Sequence, residues 1–254
     1  MRSGFPKMTD HTTVFLLMLA AVAFLISLSK GGLGGMAGTL STPLMSLVMP
    51  VNRVLGLLLP IMLLADVFSI ALHWRRWNTR LVWLLIPGAV VGVTIGTYFI
   101  ANVSTQVLKI GLAIIALLFV VYKLLEKRIL GSLKYQEHNW HGWLAGTTAG
   151  FTSAMAHSGV PPISIYLMLH DVSPRVFIAT SVLFYAILNW IKVPYYYFTG
   201  LFDFQQLWQI AWVFPIVPIG VWFGRWLSSK VSKTVFDNII LVLLVITAVL
   251  LIIG

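Results

Sequence analysis

The sequence predicts an all-α, polytopic membrane protein built as an inverted-topology repeat of two five-segment halves, each with a broken short-helix hairpin. Three observations point there. Hydrophobic residues make up 59% of the 254 positions and charged residues only 9%, against roughly 25% charge in soluble domains, and the mean hydropathy is +0.94. Uncharged runs recur, for example 81–101, 204–224 and 238–254, each about long enough to cross a hydrocarbon layer of roughly 30 Å as a helix. Basic loops then fall along the chain so that the two halves must insert upside down. A soluble globular enzyme is excluded. The runs are apolar on every face, without the period-two alternation of a transmembrane barrel.

Apolar segments lie at 12–29, 39–49, 54–74, 81–101, 107–125, 142–155, 162–169, 176–197, 206–226 and 235–253. The first follows Arg2 and Lys7 in the manner of a signal peptide, but no small-x-small cleavage pattern leads into a soluble chain, so it reads as a span. Segments 39–49 and 162–169 are too short to cross alone. Each follows a run of small residues with poor helix propensity, residues 31–38 and 150–159, and each reads as the returning arm of a broken hairpin. Residues 1–130 form the first repeat and 131–254 the second, inverted one.

Orientation follows from basic residues, which concentrate on cytoplasmic loops. Arg75, Arg76 and Arg80, the stretch 123–134, Arg175, and Arg225 with Lys230 and Lys233 mark that side, whereas the loops around Asn102 and Asp203 are nearly free of positive charge. Segments 54–74 and 176–197 therefore run in opposite directions. Duplication is supported by the shared spacing of Pro87, Gly92 and Gly96 with Pro215, Gly220 and Gly224, and by Arg53-Val54 matching Arg175-Val176. Arg2 and Lys7 run against this pattern by falling outside.

The net charge of +10 fits loops facing anionic lipid better than a nucleic-acid surface. The lack of cysteine excludes disulfide and thiolate chemistry. Pro60, Pro87, Pro194, Pro215 and Pro218 should kink helices or mark hinges. The Gly92/Gly96 and Gly220/Gly224 pairs suit close helix contact. Trp74, Trp77, Trp140, Tyr195 and Tyr196 read as interfacial anchors.

Inverted repeats with interrupted helices are the architecture of secondary transporters, whose sites form where broken helix ends expose backbone groups near the midplane. Helix N-termini suit anions. At the first break, Gly34 and Gly35 precede Thr39, Ser41, Thr42 and Pro43, whose hydroxyls either ligate an anion or cap the short helix with Pro43 in its first turn. Ser153, Ser158, Pro161 and Pro162 are the second-half equivalents. His157 sits in a charge-free stretch and must face the interior, as a site residue or as a donor to a carbonyl. Asp66 falls near mid-membrane and needs a partner, with Lys30 and Lys192 as candidates, for ion pairing or for proton coupling. Asn189 and Lys192 share a helix face, although Lys192 also reads as snorkelling to the outer headgroups. Arg53 and Arg175 read as interfacial anchors or as an anion funnel.

Two stretches carry a family resemblance. Lys30-Gly31-Gly32-Leu33-Gly34-Gly35 continuing to Thr42-Pro43, and the run from Gly150 to Pro162, together with residues 179–184 and 189–194, resemble the paired signatures of the TauE/SafE sulfite exporter family, also called the toluene sulfonate uptake permease family. The resemblance covers nearly the whole chain. It implies export of small sulfur-containing anions, such as sulfite or organosulfonates, across the bacterial cytoplasmic membrane, without a cofactor. Two departures stand out: Met36-Ala37-Gly38 replaces a longer glycine run, and Ala-Met-Ala-His-Ser-Gly replaces a triple glycine. Two other readings stay open, an intramembrane enzyme using His157 and Asp66 and a passive anion channel. Neither His-Glu-x-x-His nor a nucleotide-binding Gly-x-x-x-x-Gly-Lys-Ser/Thr motif occurs. Oligomerisation is compatible with the pattern.

Overall fold

A computed structural model describes residues 10–32, 36–132, 138–230 and 233–253. Gly34 and Gly35, like Arg2 and Lys7, lie outside the described residues. Those described are helical, in the order α1 (Asp10–Lys30), α2 (Met36–Met45), α3 (Val51–Leu72), α4 (Thr79–Asn102), α5 (Thr105–Ser132), α6 (Asn139–Ala156), α7 (Val160–Leu169), α8 (Pro174–Phe198), α9 (Gln205–Ile210), a 3-10 turn at Ala211–Val213, α10 (Ile216–Ser228) and α11 (Lys233–Ile253).

Six of these are long and apolar enough to cross a membrane, and a seventh span arises if the stretch before Pro215 and α10, bent by 44°, count as one. The chain is a multi-pass membrane protein. Local chemistry sets the helix ends. Asn78 accepts a hydrogen bond from the Leu81 amide at 3.3 Å and so caps α4, filling one of the bonds that a first turn leaves open. Pro174 opens α8 and Pro161 stands in the first turn of α7, where a missing N–H costs nothing. At 10 residues, α2 and α7 are only about 15 Å long, half a bilayer.

In the second break the chain doubles back. A Cβ on Gly159 would stand 3.0 Å from the Ala149 carbonyl, and the Tyr166 hydroxyl comes within 3.1 Å of the Cβ position of Gly142. The arms α6 and α7 are thus antiparallel. In the first break, Gly38 of α2 faces Ser29 near the end of α1.

Glycine governs how the long helices cross. A Cβ on Gly88 or Gly92 of α4 would run into the Trp143 or Thr147 carbonyl of α6, while one on Gly146 or Gly150 would run into Leu85 or Ala89 of α4. Backbone meets backbone along this crossing, so the helices approach as only small residues permit. The crossing of α1 with α10 has the same character, with Gly224 against the Leu28 carbonyl and Gly31 against that of Val221. Apolar side chains fill the centre, with Phe119, Phe184, Leu55 and Leu58 almost fully buried, while Trp83, Trp208, Trp222 and Ile253 face outward.

Several sequence readings need correction. Because α2 starts at Met36, Thr39 is its fourth residue and Pro43 its eighth, so neither the caps nor the first-turn proline expected there exist. Helix α5 runs on through the basic stretch to Ser132, since Lys, Arg and Glu are good helix formers outside the hydrocarbon. Segment 206–226 is broken at Phe214 and Pro215, whereas α3, α4 and α8 continue through Pro60, Pro87 and Pro194. Tyr196 is no interfacial anchor, being fully buried with its hydroxyl donating to the Ala154 carbonyl at 2.6 Å.

Candidate functional site

The two breaks border a cavity of about 70 Å³ whose lining includes Ser29, Lys30, Gly32 and Gly38 from the first hairpin and Ser153, His157, Gly159, Val160 and Ser164 from the second. Helix α8 closes another wall with Ser181, Tyr185 and Asn189, and Met62 of α3 contributes an apolar patch. The order of the walls follows from helix periodicity, because Ser181, Tyr185 and Asn189 recur every four residues and so share one face.

Lys30, the last residue of α1, is the one Lys, Arg, Asp or Glu among the described lining residues. Its Nζ pairs with Oδ1 of Asp66 behind it, and Oδ2 of the same carboxylate accepts a bond from Asn189 Nδ2 at 2.6 Å. The exposures are unequal, 15% for the Lys30 side chain and 2% for Asp66. Ser69 donates to the Lys30 carbonyl at 2.7 Å, tying the end of α1 to α3, and the ammonium lies 5.5 Å from the Tyr185 ring centroid, within cation–π reach.

A second polar group lies deeper. Lys192 is fully buried; its Nζ donates to Ser153 Oγ at 3.1 Å and meets His157 Nδ1 at 2.8 Å. His157 Nε2 lies 3.0 Å from the Leu55 carbonyl. A carbonyl oxygen only accepts, so Nε2 carries the hydrogen, and Nδ1 is left to accept from Lys192. Both ring nitrogens are therefore engaged. The residue also ends α6 in a left-handed conformation at φ 51°, uncommon without glycine and held here by the two ring bonds.

The sequence-derived candidates separate on this geometry. Lys30, Asp66, Ser153, His157, Asn189 and Lys192 come together. Lys30 and Asn189, not Lys192, partner Asp66. The snorkelling reading of Lys192 is wrong, because Ser153 and His157 hold its ammonium inside. Thr39, Ser41, Thr42 and Pro43 are buried in α2 and do not line the cavity; the Ser41 and Thr42 hydroxyls have no partner among the described residues. Ser158, Pro161 and Pro162 also stand off it. Pro161 and Pro162 lack N–H groups, so the first turn of α7 offers fewer backbone donors than an anion-binding helix end requires. Arg53 and Arg175 are exposed at the starts of α3 and α8, away from the cavity.

Sequence reasoning missed Ser29, Gly38, Ser164, Ser181 and Tyr185. The four-residue spacing of Ser181, Tyr185 and Asn189 within an apolar span was the available signal. Ser29 had none, yet it is 3% exposed and its Oγ has no partner among the described residues.

The family described as Sulfite exporter TauE/SafE matches residues 19–251. The chain belongs to the TauE/SafE family. No curated protein and no solved structure matches it. Membership of TauE/SafE and a polytopic helical fold give the protein a transporter-like role.

Proposed function

We propose that the chain is a secondary transporter of small sulfur-containing oxyanions, sulfite or organosulfonates, acting as an exporter in the bacterial cytoplasmic membrane. The observation that carries the reading is the pairing of one ammonium, Lys30, with a buried hydroxyl, Ser29, that has no partner among the described residues, on a wall whose described lining holds no carboxylate. A buried hydroxyl without a partner is costly, and an oxyanion both accepts its hydrogen and meets the ammonium. Asn189 and Ser153 are the further polar contacts, with Lys192 and His157 setting the position of Ser153.

Alternating access in this reading comes from two inverted halves, 1–130 and 131–254. Support comes from correspondences across them. Lys30 ends α1 as His157 follows α6, Asp66 of α3 faces Asn189 of α8, and the glycine crossing of α4 on α6 has its counterpart in α10 on α1. Arg53 and Arg175 then stand at the starts of equivalent helices on opposite faces of the membrane, Arg175 on the cytoplasmic one. Export as the direction rests on the family description alone.

The test is counterflow of labelled sulfite, thiosulfate and methanesulfonate in proteoliposomes. A carrier accumulates label transiently against preloaded unlabelled anion, a passive channel does not, and an enzyme returns a changed solute. Ser29→Ala should leave stability within about 1 kcal/mol, since the hydroxyl has no internal partner. Loss of one hydrogen bond to a charged group should weaken anion affinity about tenfold or more. Absence of flux for all three anions in folded protein contradicts the proposal.

A further inference from the structure

We propose that Asp66 is the binding site of a coupling proton, taken up at Oδ1 when an anion draws Lys30 away, so that each anion moves with one proton. The inference rests on the anion reading above and extends it to the coupling ion.

The geometry supplies the argument. Lys30 serves two customers that cannot both be satisfied: its ammonium is the charged group on the cavity wall, and it is the counter-ion of Asp66. In the empty protein the two charges cancel. An anion that forms N–H···O bonds with Lys30 Nζ breaks the bond to Oδ1 and leaves a carboxylate that is 2% exposed, with the Asn189 amide as its remaining hydrogen-bond donor among the described residues. Burying such a charge unpaired is strongly unfavourable. A proton arriving at Oδ1 restores neutrality, while the Asn189 Nδ2 bond to Oδ2 stays in place. The balance is simple: one N–H···O bond to Oδ1 is exchanged for one O–H bond, and the incoming anion and proton add no net charge.

The groups facing Asp66 permit this exchange. Helix α1 brings Lys30, and α8 brings Asn189, with Tyr185 beside the ammonium. Lys192 of the same helix is within electrostatic reach but is committed to Ser153 and His157, the latter being the titratable group from the second break. Helix α2 carries no titratable residue, and Arg225 of α10 is exposed. Helix α5 also packs against α3 and carries Lys109, Tyr122, Lys123 and Glu126; the Glu126 carboxylate is already engaged, accepting from Tyr122 Oη at 2.8 Å and from Lys123 Nζ at 2.7 Å.

Half-loaded states each leave one charge uncompensated, Asp66 with anion alone and Lys30 with proton alone. Only the empty and the doubly loaded protein are neutral there, which makes coupling obligatory.

The experiment uses methanesulfonate, a strong-acid anion that carries no proton itself, with ethanesulfonate, of the same single charge, as a second probe. Proton uptake on binding is measured by calorimetry in buffers of differing ionisation enthalpy, and infrared difference spectra of the native protein report a carboxylate band replaced by a protonated carboxyl band. One proton per anion is expected, with affinity falling about tenfold for each unit rise in pH over the range in which one proton is taken up. In Asp66→Asn, binding should lose both the proton and the pH dependence. Binding without proton uptake or carboxyl band overturns the coupling while leaving the anion site intact. A proton and pH dependence that persist in Asp66→Asn move the proton elsewhere and also overturn it. No binding of either anion removes the anion reading and the coupling together.

Discussion

Replacing Lys30 with methionine tests the ion pair by itself, because methionine keeps most of the side-chain volume while deleting the charge. Asp66, at 2% exposure, then keeps only the Asn189 bond at 2.6 Å. Breaking a buried pair from one side costs about 3–5 kcal/mol, and the remaining amide bond places this case near the lower end. Asp66→Asn should cost less, about 1–2 kcal/mol, because the Lys30 side chain is 15% exposed and opens onto the cavity. The double variant removes both charges and should lie within about 1 kcal/mol of the native protein, since neutral replacement of a buried pair is often tolerated. The cycle would then give a coupling energy of about 3 kcal/mol or more. Reversible unfolding in bicelles measures all four proteins. Additive single effects within about 0.5 kcal/mol, or a Lys30→Met cost below about 1 kcal/mol at neutral pH, would refute the reasoning.

Two further outcomes follow from the glycines. Gly38→Val narrows the cavity next to Ser29, whose Oγ would stand at ordinary contact, 3.5 Å, from the new Cβ; folding should survive, and uptake assays should show bulky sulfonates excluded before sulfite. Gly92→Val forces a side chain into the Thr147 carbonyl of α6 and should destabilise by about 3 kcal/mol. Gly111→Ala, which meets only the tip of Met155 at 3.3 Å, should cost less than about 1 kcal/mol; equal losses in thermal unfolding would contradict the crossing described.

Spans were legible because hydrocarbon thickness imposes length and apolarity on each one, and the breaks because glycine and proline cannot hide their effect on a helix. Asp66 was legible for the same kind of reason: a carboxylate in mid-span requires a partner, and Lys30 is that partner. What periodicity does not carry is which face of a tilted helix meets which neighbour. Lys192 stands near the C-terminal end of α8, so its distance along the helix suggested the headgroups, but the break at His157 reaches that depth and captures it. The same limitation hid Ser29, which lies on the face of α1 turned to Gly38, and led the hydroxyls of α2 to be read as ligands when the helix already begins at Met36. Tyr196 reads like its neighbour Tyr195 in sequence, yet it is buried with its hydroxyl donating to the Ala154 carbonyl.

The most direct test of an anion held between the two hairpins is a structure of the protein with selenite, a close analogue of sulfite with a strong anomalous scatterer. The account requires an anomalous peak within hydrogen-bond reach of Ser29 Oγ and Lys30 Nζ, lost in Lys30→Met. A peak confined to the exposed arginines at the starts of α3 and α8, or a cavity left empty at saturating selenite, would contradict it.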